Sequence, residues 1–202
     1  MDLDGEGLYI LQDAASQAVS HASDSLRKAA LALRDEQQLR VLELGSGCGI
    51  VSIMLALARP GWEIEALEIQ PELHALACEN ASRLGLQIQF LLSDLRQYSS
   101  DEPYSLIVSN PPWQKTGSGR YSPLQSRNVS RFELECALQD VLDCVRRNLA
   151  PEGDALLLYP ASRAEDIRVA AAKTLLDIIS LSPAAGLKRH LICHIRHKGQ
   201  AR

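Results

Sequence analysis

Asn110-Pro111-Pro112-Trp113 is the run in this chain best suited to acting on another molecule. Two consecutive prolines fix φ and remove two backbone donors, leaving a stiff loop whose carbonyls face outward as acceptors. The Asn110 side-chain oxygen and the Pro111 carbonyl can then receive both hydrogens of a planar NH2 group, and Trp113 offers a flat face for stacking a ring. An amino group conjugated to a purine donates its lone pair into the ring and attacks poorly. Two acceptors on its hydrogens localise that pair and aim it at an electrophilic carbon. Orientation and electrostatics then supply the acceleration, and no side-chain nucleophile is needed. A proline-rich turn closed by a core tryptophan is the plainer reading of the same residues.

A second constellation lies upstream in Glu43-Leu44-Gly45-Ser46-Gly47-Cys48-Gly49, where a strand passes into a helix. Glycines allow a tight turn and the close approach of a ligand, and the helix start offers free N–H groups. The spacing is G-x-G-x-G rather than the G-x-G-x-x-G of dinucleotide sites. A carboxylate two residues ahead of Gly45 would repel a pyrophosphate but suits an ammonium group. Glu68 ends the next strand, 68 − 45 = 23 residues beyond the first glycine, close to the interval of about 20 at which an acid meets ribose hydroxyls. Its two oxygens match the two donors of a cis-diol. Asp94 follows the third strand in Ser93-Asp94-Leu95, where an aspartate either accepts from an adenine amino group or caps a turn.

Three acids and a glycine loop at successive strand ends resemble the Rossmann-like, class I S-adenosylmethionine-dependent methyltransferases. The resemblance covers the chain from about Arg40 onward. It implies cofactor contacts at Glu43, Gly45, Ser46, Gly47, Gly49, Glu68, Ile69, Asp94, Leu95 and Asn110: the glycine loop around the methionine moiety with Glu43 near its ammonium, Glu68 at the ribose, and Asp94 with Leu95 at the adenine. The Asn110–Trp113 tetrad resembles the [ND]-P-P-[YFW] element of amino-methyltransferases, which modify exocyclic amines of bases or a glutamine amide. This implies catalytic roles for Asn110, Pro111, Pro112 and Trp113.

Lys115-Thr116-Gly117-Ser118-Gly119-Arg120-Tyr121-Ser122-Pro123 and Ser130-Arg131-Phe132-Glu133 are most similar to the bacterial tRNA (adenine-N6)-methyltransferases acting in the anticodon loop of valine tRNA. That group usually carries Tyr where this chain has Trp113, and commonly Ala-Arg-His-Glu where this chain has Ser-Arg-Phe-Glu. The resemblance implies an RNA substrate contacted by Lys115, Arg120 and Arg131. The charge pattern agrees with an anionic partner: residues 111–132 hold Lys115, Arg120, Arg127 and Arg131 and no acid, and residues 182–202 hold Lys188, Arg189, Arg196, Lys198 and Arg202 and no acid. Both basic stretches could flank one crevice and contact phosphates, or be solvated loop charges.

The elements that must position these residues follow from hydrophobic spacing. Strands are predicted over 39–44, 63–68, 87–92, 104–109, 154–159, 177–181 and 191–195. Helices are predicted over 49–59, 72–84, about 129–149 and 164–176, with an Ala-rich leading helix within 14–33. Strands separated by helices, several of them largely apolar, indicate an α/β fold. The expected architecture is Rossmann-like, a seven-stranded, mostly parallel sheet with helices on both faces and a functional crevice at the carboxyl ends of the strands. The family's usual sheet likewise has seven strands, the last antiparallel. Residues 1–38 read as a helical lead-in and residues 39–202 as the methyltransferase domain.

Length and composition fit that reading. The 202 residues are 46% apolar and 23% charged, with 21 basic against 25 acidic side chains and a formal net charge of −4. This excludes a uniformly basic nucleic-acid coat, long disorder and a fibrous repeat. The acidic start lacks the basic, then apolar pattern of a signal peptide, and no apolar run approaches the about 20 residues that span a bilayer. The five cysteines form no C-x-x-C pair. A cytoplasmic enzyme without membrane or metal partner is therefore expected. His190 and His194, four apart on a strand, suggest packing or RNA contact rather than metal binding. Tyr9-Ile10-Leu11-Gln12-Asp13 is similar to a segment that closes over the cofactor in this group.

The expected reaction is methyl transfer to an exocyclic amino nitrogen, foremost adenine N6 in tRNA. Protein glutamine-N5 and rRNA guanine-N2 methylation are the rivals within the class. A non-catalytic S-adenosylmethionine-binding scaffold is the rival outside it.

Overall fold

The computed structural model describes residues 9–11, 21–111 and 138–199. Its elements are α1 (His21–Leu33), β1 (Leu39–Leu44), α2 (Ile50–Ala58), β2 (Trp62–Glu68), α3 (Pro71–Arg83), β3 (Ile88–Leu92), β4 (Tyr104–Ser109), α4 (Leu138–Asn148), β5 (Leu149–Pro160), a 3-10 turn (Ala161–Arg163), α5 (Ala164–Ala171), β6 (Leu176–Pro183) and β7 (His190–His197). The seven strands form one sheet in the order β3-β2-β1-β4-β5-β7-β6. β1 to β5 pair in parallel, and β7 runs antiparallel between β5 and β6.

Apolar strands in the middle of the sheet bury both faces, as their near-continuous Leu, Ile and Val content demands. Along β5, Ala155, Leu157 and Tyr159 enter one core with Val141, Leu142 and Val145 of α4 and Ile167 of α5. The alternating Leu156 and Leu158 enter the other, with Leu26 and Ala30 of α1 and Val51, Ile53 and Leu55 of α2. That period of two is what β geometry imposes, and it sets the helices on opposite faces of the sheet.

Most predicted spans agree with the structure to within two residues, and two, the helix after Arg163 and β5, differ for identifiable reasons. The helix after Arg163 stops at Ala171 rather than running to Leu176. Thr174 Oγ1 donates to the Ala171 carbonyl at 2.8 Å and receives the Leu176 amide at 3.2 Å, so its side chain replaces helix bonds and releases Leu176 into β6. The helix before β5 ends at Asn148, because Leu149 already pairs with Tyr104. The predicted part before Leu138 lies outside the described residues. β5 starts five residues early for the same reason, and the register shifts between Tyr104 and Leu106, leaving residues 150–153 bulged out.

Candidate active site

The strand order reverses between β1 and β4, both neighbours reached from the same sheet centre. In such sheets this is where a crevice opens at the carboxyl ends. Leu44 pairs with Ser109 and with Leu67, and Glu68 pairs with Leu92. The chain therefore leaves four adjacent strands side by side at Asp94, Glu68, Gly45 and Asn110, with strands about 4.8 Å apart. Ser109 Oγ donates to the Leu44 carbonyl at 2.8 Å and ties the two central strand ends together.

The glycine loop has the backbone that its composition requires. Gly45, Gly47 and Gly49 adopt φ of 71°, 56° and 83°, values that L side chains rarely tolerate. Gly49 forms the N-cap of α2, and a Cβ there would stand 2.8 Å from Cζ of Phe90. At Gly47 a Cβ would meet nothing within 4 Å, so that glycine faces open space. The amides of Gly45 and Ser46 both donate to the Leu67 carbonyl at 2.9 Å.

Glu68 is the keystone of this loop. It is buried, and its Oε2 accepts from the Gly47 amide at 2.8 Å. Oε1 accepts from the amides of Ile69 at 3.0 Å and Gln70 at 2.9 Å. Burial raises the carboxyl above its ordinary range, and these three amides act against that rise. Ile69 thus contributes its backbone beside the Glu68 carboxylate.

Glu43 is also buried. Its Oε2 receives the Ser52 amide at 2.9 Å and the Ser52 hydroxyl. Burial pushes its carboxyl up to about 8, with the Glu68 charge adding to the rise. Asp94 makes a tighter local arrangement than its sequence context suggests. Its carboxylate is gripped by the Arg96 guanidinium at 2.5–3.0 Å and accepts the Arg96 amide at 2.9 Å. Leu95 beside it is buried in the core.

Asn110 and Pro111 follow β4 directly. The Asn110 Oδ1 is buried and finds no donor among the described residues, and neither does the buried Ser46 hydroxyl. A buried acceptor without a partner costs about 1–3 kcal/mol. Pro112, Trp113, Lys115, Arg120 and Arg131 lie outside the described residues.

Sequence reasoning passed over two side chains that hold this site. The Asn80 amide of α3 accepts the Leu11 amide at 2.7 Å and donates to the carbonyls of Leu11 at 2.9 Å and Cys48 at 3.0 Å. It clasps residues 9–11 onto the glycine loop, with Ile10 in the core. Arg147 of α4 donates through Nη2 to the carbonyls of Leu95, Arg96 and Tyr98 at 2.7–3.3 Å, and so fixes the loop that carries Asp94. An Asn within a helix and an Arg near a helix end give no local signal of partners that distant.

Residues 13–126, more than half of the chain, match the family model of the methyltransferase small domain. The chain belongs to that family. It is 34% identical over 131 residues to the tRNA1(Val) (adenine(37)-N6)-methyltransferase of Aeromonas hydrophila, covering 63% of this chain and 54% of the relative. It is 32% identical over 146 residues to the release factor glutamine methyltransferase of Escherichia coli, covering 67% of this chain and 51% of the relative. The chain thus spans about half the length of the curated relatives it matches. The crystal structure of the ribosomal protein L11 methylase from Lactobacillus delbrueckii subsp. bulgaricus superposes with a TM-score of 0.66 at 20% identity, over 89% of this chain and 80% of that one. The fold is therefore the class I methyltransferase fold.

S-adenosylmethionine is the cofactor of this methyltransferase family and fold. The residues present fit it. Gly47 faces open space that a side chain would fill, and two buried acceptors, Ser46 Oγ and Asn110 Oδ1, stand without donors among the described residues at the same strand ends. Among the described residues no group of three His, Cys, Asp or Glu side chains could hold a metal ion, and no helix is long and apolar enough to cross a membrane.

Proposed function

We propose that this chain transfers a methyl group from S-adenosylmethionine to an exocyclic amino nitrogen, foremost N6 of an adenine in tRNA. Residues 39–202 carry the chemistry in this reading, and residues 1–38 lead into it. The observation that carries it is the Oδ1 of Asn110, unpartnered among the described residues and one strand away from the glycine loop. A buried acceptor kept without a donor is stability given up for binding, and a planar NH2 is the donor that fits an Asn-Pro corner.

When bound, the cofactor supplies a sulfonium methyl, the electrophilic carbon of the reaction. Gly45, Ser46, Gly47 and Gly49 wrap its amino-acid end, and Glu43 lies behind that loop, where the bound ammonium would favour the charged form of a carboxyl that burial alone pushes up. Glu68, already held by the Gly47, Ile69 and Gln70 amides, accepts from the ribose hydroxyls. Asp94 and Leu95 take the adenine, which requires the Asp94 carboxylate to share its Arg96 contact with the adenine amine. Asn110 Oδ1 and the Pro111 carbonyl accept the two hydrogens of the substrate amine, localising its lone pair and aiming it for in-line attack. Pro112 stiffens the corner, and Trp113 stacks the base. Lys115, Arg120 and Arg131 are proposed RNA contacts.

The relative acting on release factors supports a second reading, a protein glutamine substrate, because that amide also presents two N–H hydrogens. One assay separates the two. Tritiated S-adenosylmethionine is supplied with unmodified tRNA or with release factor, and the products are resolved by mass spectrometry. N6-methyladenosine in the tRNA is expected. Methylglutamine alone would establish the second reading, and cofactor binding without transfer to either would leave a scaffold.

Glu68→Ala is expected to weaken S-adenosylhomocysteine binding by about 1–3 kcal/mol, the value of charged hydrogen bonds lost from a buried site. Isothermal calorimetry measures it. Unchanged affinity would move the ribose away from β2.

A further inference from the structure

The basic stretch over residues 182–202 divides into two ends of the sheet. β7 runs antiparallel to β5, pairing His190 with Pro160 at one end and Ile195 with Ala155 at the other. The loop over residues 184–189 therefore lies at the carboxyl end of β5, the same end as Asn110. Arg196 and Lys198 lie at the opposite end. Arg196 is spent on Asp154, whose Oδ1 it reaches at 2.5 Å, and the Lys198 amide donates to the Leu175 carbonyl.

The loop itself is ordered by backbone bonds. The Ala184 amide donates to the His190 carbonyl at 3.0 Å, the Leu187 amide to Ala184 at 3.0 Å, and the Ala161 amide to Arg189 at 2.8 Å. Gly186 takes φ of 77° in the turn. This presents Lys188 and Arg189 as exposed side chains. Neither forms an ion pair among the described residues. Charges on the facing elements cancel one another instead, with Arg163 Nε 2.8 Å from Asp166 and Arg168 3.5 Å from Glu165. Burial draws His190 below its ordinary range, so the local surplus is the two cations. Only β5 stands between β7 and β4, so β7 lies two strand spacings, about 10 Å, to the side of β4, and the loop stands on that rim beyond the level of the Asn110 corner.

We propose that the β6–β7 loop is a nucleic-acid contact, with Lys188 and Arg189 binding backbone phosphates that flank the base presented to Asn110. The inference rests on the RNA reading above and goes further, because it assigns substrate affinity to a loop remote in sequence from the tetrad. Phosphate neutralisation displaces condensed counterions, so each contact adds to the salt dependence of binding.

The test is Lys188→Glu/Arg189→Glu, with Lys198→Glu as the control at the far end. For the double variant the tRNA KM is expected to rise at least about tenfold, with kcat and S-adenosylhomocysteine affinity unchanged. The log–log salt slope of tRNA binding should become shallower by about 1.5, two contacts at about 0.7–0.9 each. Lys188→Arg/Arg189→Lys should keep wild-type KM and slope, and so should Lys198→Glu. If tRNA is methylated but KM and slope do not change in the reversal variant, this inference falls and the RNA reading stands. If the wild type methylates only a protein glutamine, both fall.

Discussion

Asn110→Ala is expected to lower methyl transfer by on the order of 10²–10³, the loss seen when one preorganised electrostatic partner of a transition state is removed. S-adenosylhomocysteine affinity should stay within a few fold, because the glycine loop and Glu68 remain intact. The direction of the stability change sharpens the test. In the free protein Oδ1 is a buried acceptor with no donor among the described residues, so removing it deletes a cost of about 1–3 kcal/mol. The alanine variant should therefore melt no lower than wild type, and the natural expectation is a slightly higher midpoint. An inactive variant that melts higher is the pattern of a residue kept for function at the expense of stability. Asn110→Asp keeps an acceptor oxygen and should retain part of the rate. Full turnover in Asn110→Ala would remove the acceptor argument entirely. A large drop in melting temperature would instead make Asn110 a structural residue of the β4 end.

What the sequence made legible was local. The largely apolar runs of β1, β4 and β5 read as strands of a sheet covered on both faces, and the three glycines read as a tight strand-to-helix turn, for which the structure shows positive φ at all three. Pro71 at the first turn of α3 and Gly85 beyond its end marked that helix on both sides. The overrun past Ala171 had a local cause as well, since Ala-Ala-Lys-Thr-Leu-Leu continues a helical pattern that only the Thr174 hydroxyl interrupts. Contacts between distant segments were not legible. Asn80 meets Leu11 across 69 residues and Arg147 meets Leu95 across 52, and neither pairing leaves a trace in spacing or composition. The basic stretch after Ser182 shows the limit most clearly. Five cations without an acid read as one patch, yet strand direction sends Lys188 and Arg189 to the Asn110 end of the sheet and Arg196 to the opposite end.

That opposite end holds the largest stability effect predicted for the molecule. Asp154 opens the continuous pairing of β5 with β4 after the bulge and is 1% exposed. Its Oδ1 lies 2.6 Å from Nε2 of His194 and 2.5 Å from Nε of Arg196, and Oδ2 lies 2.6 Å from Nη2 of Arg34. Arg34 is itself buried, and beside this ion pair it donates hydrogen bonds to the carbonyls of Ser105 and Glu152 and to the Glu36 carboxylate, so the cluster joins the end of α1 to β4, β5 and β7. Asp154→Ala strands Arg34 and Arg196 without their anion and His194 without its partner, which typically costs about 3–5 kcal/mol for a broken buried pair. Urea unfolding at pH 7 measures it, and Asp154→Asn, which keeps an acceptor, should lose less.

The pH dependence carries an independent signature of the same cluster. Burial alone would raise the Asp154 carboxyl, but hydrogen bonds from His194 and Arg196 and the Arg34 charge outweigh it and hold it at about 2, against an ordinary 3.8. A folded-state value below the unfolded one means stability that is present above pH 3.8 and lost as pH falls through about 2. The wild type should therefore lose stability over that interval more steeply than Asp154→Asn does. Because Asp154 pairs with Leu106, three residues short of the β4 end at Ser109, the folded fraction of Asp154→Asn should bind S-adenosylhomocysteine as the wild type does. Equal acid slopes in the two proteins would show that Arg34, His194 and Arg196 do not act on this carboxylate. A loss of cofactor affinity in the folded variant would show that the two ends of the sheet are coupled.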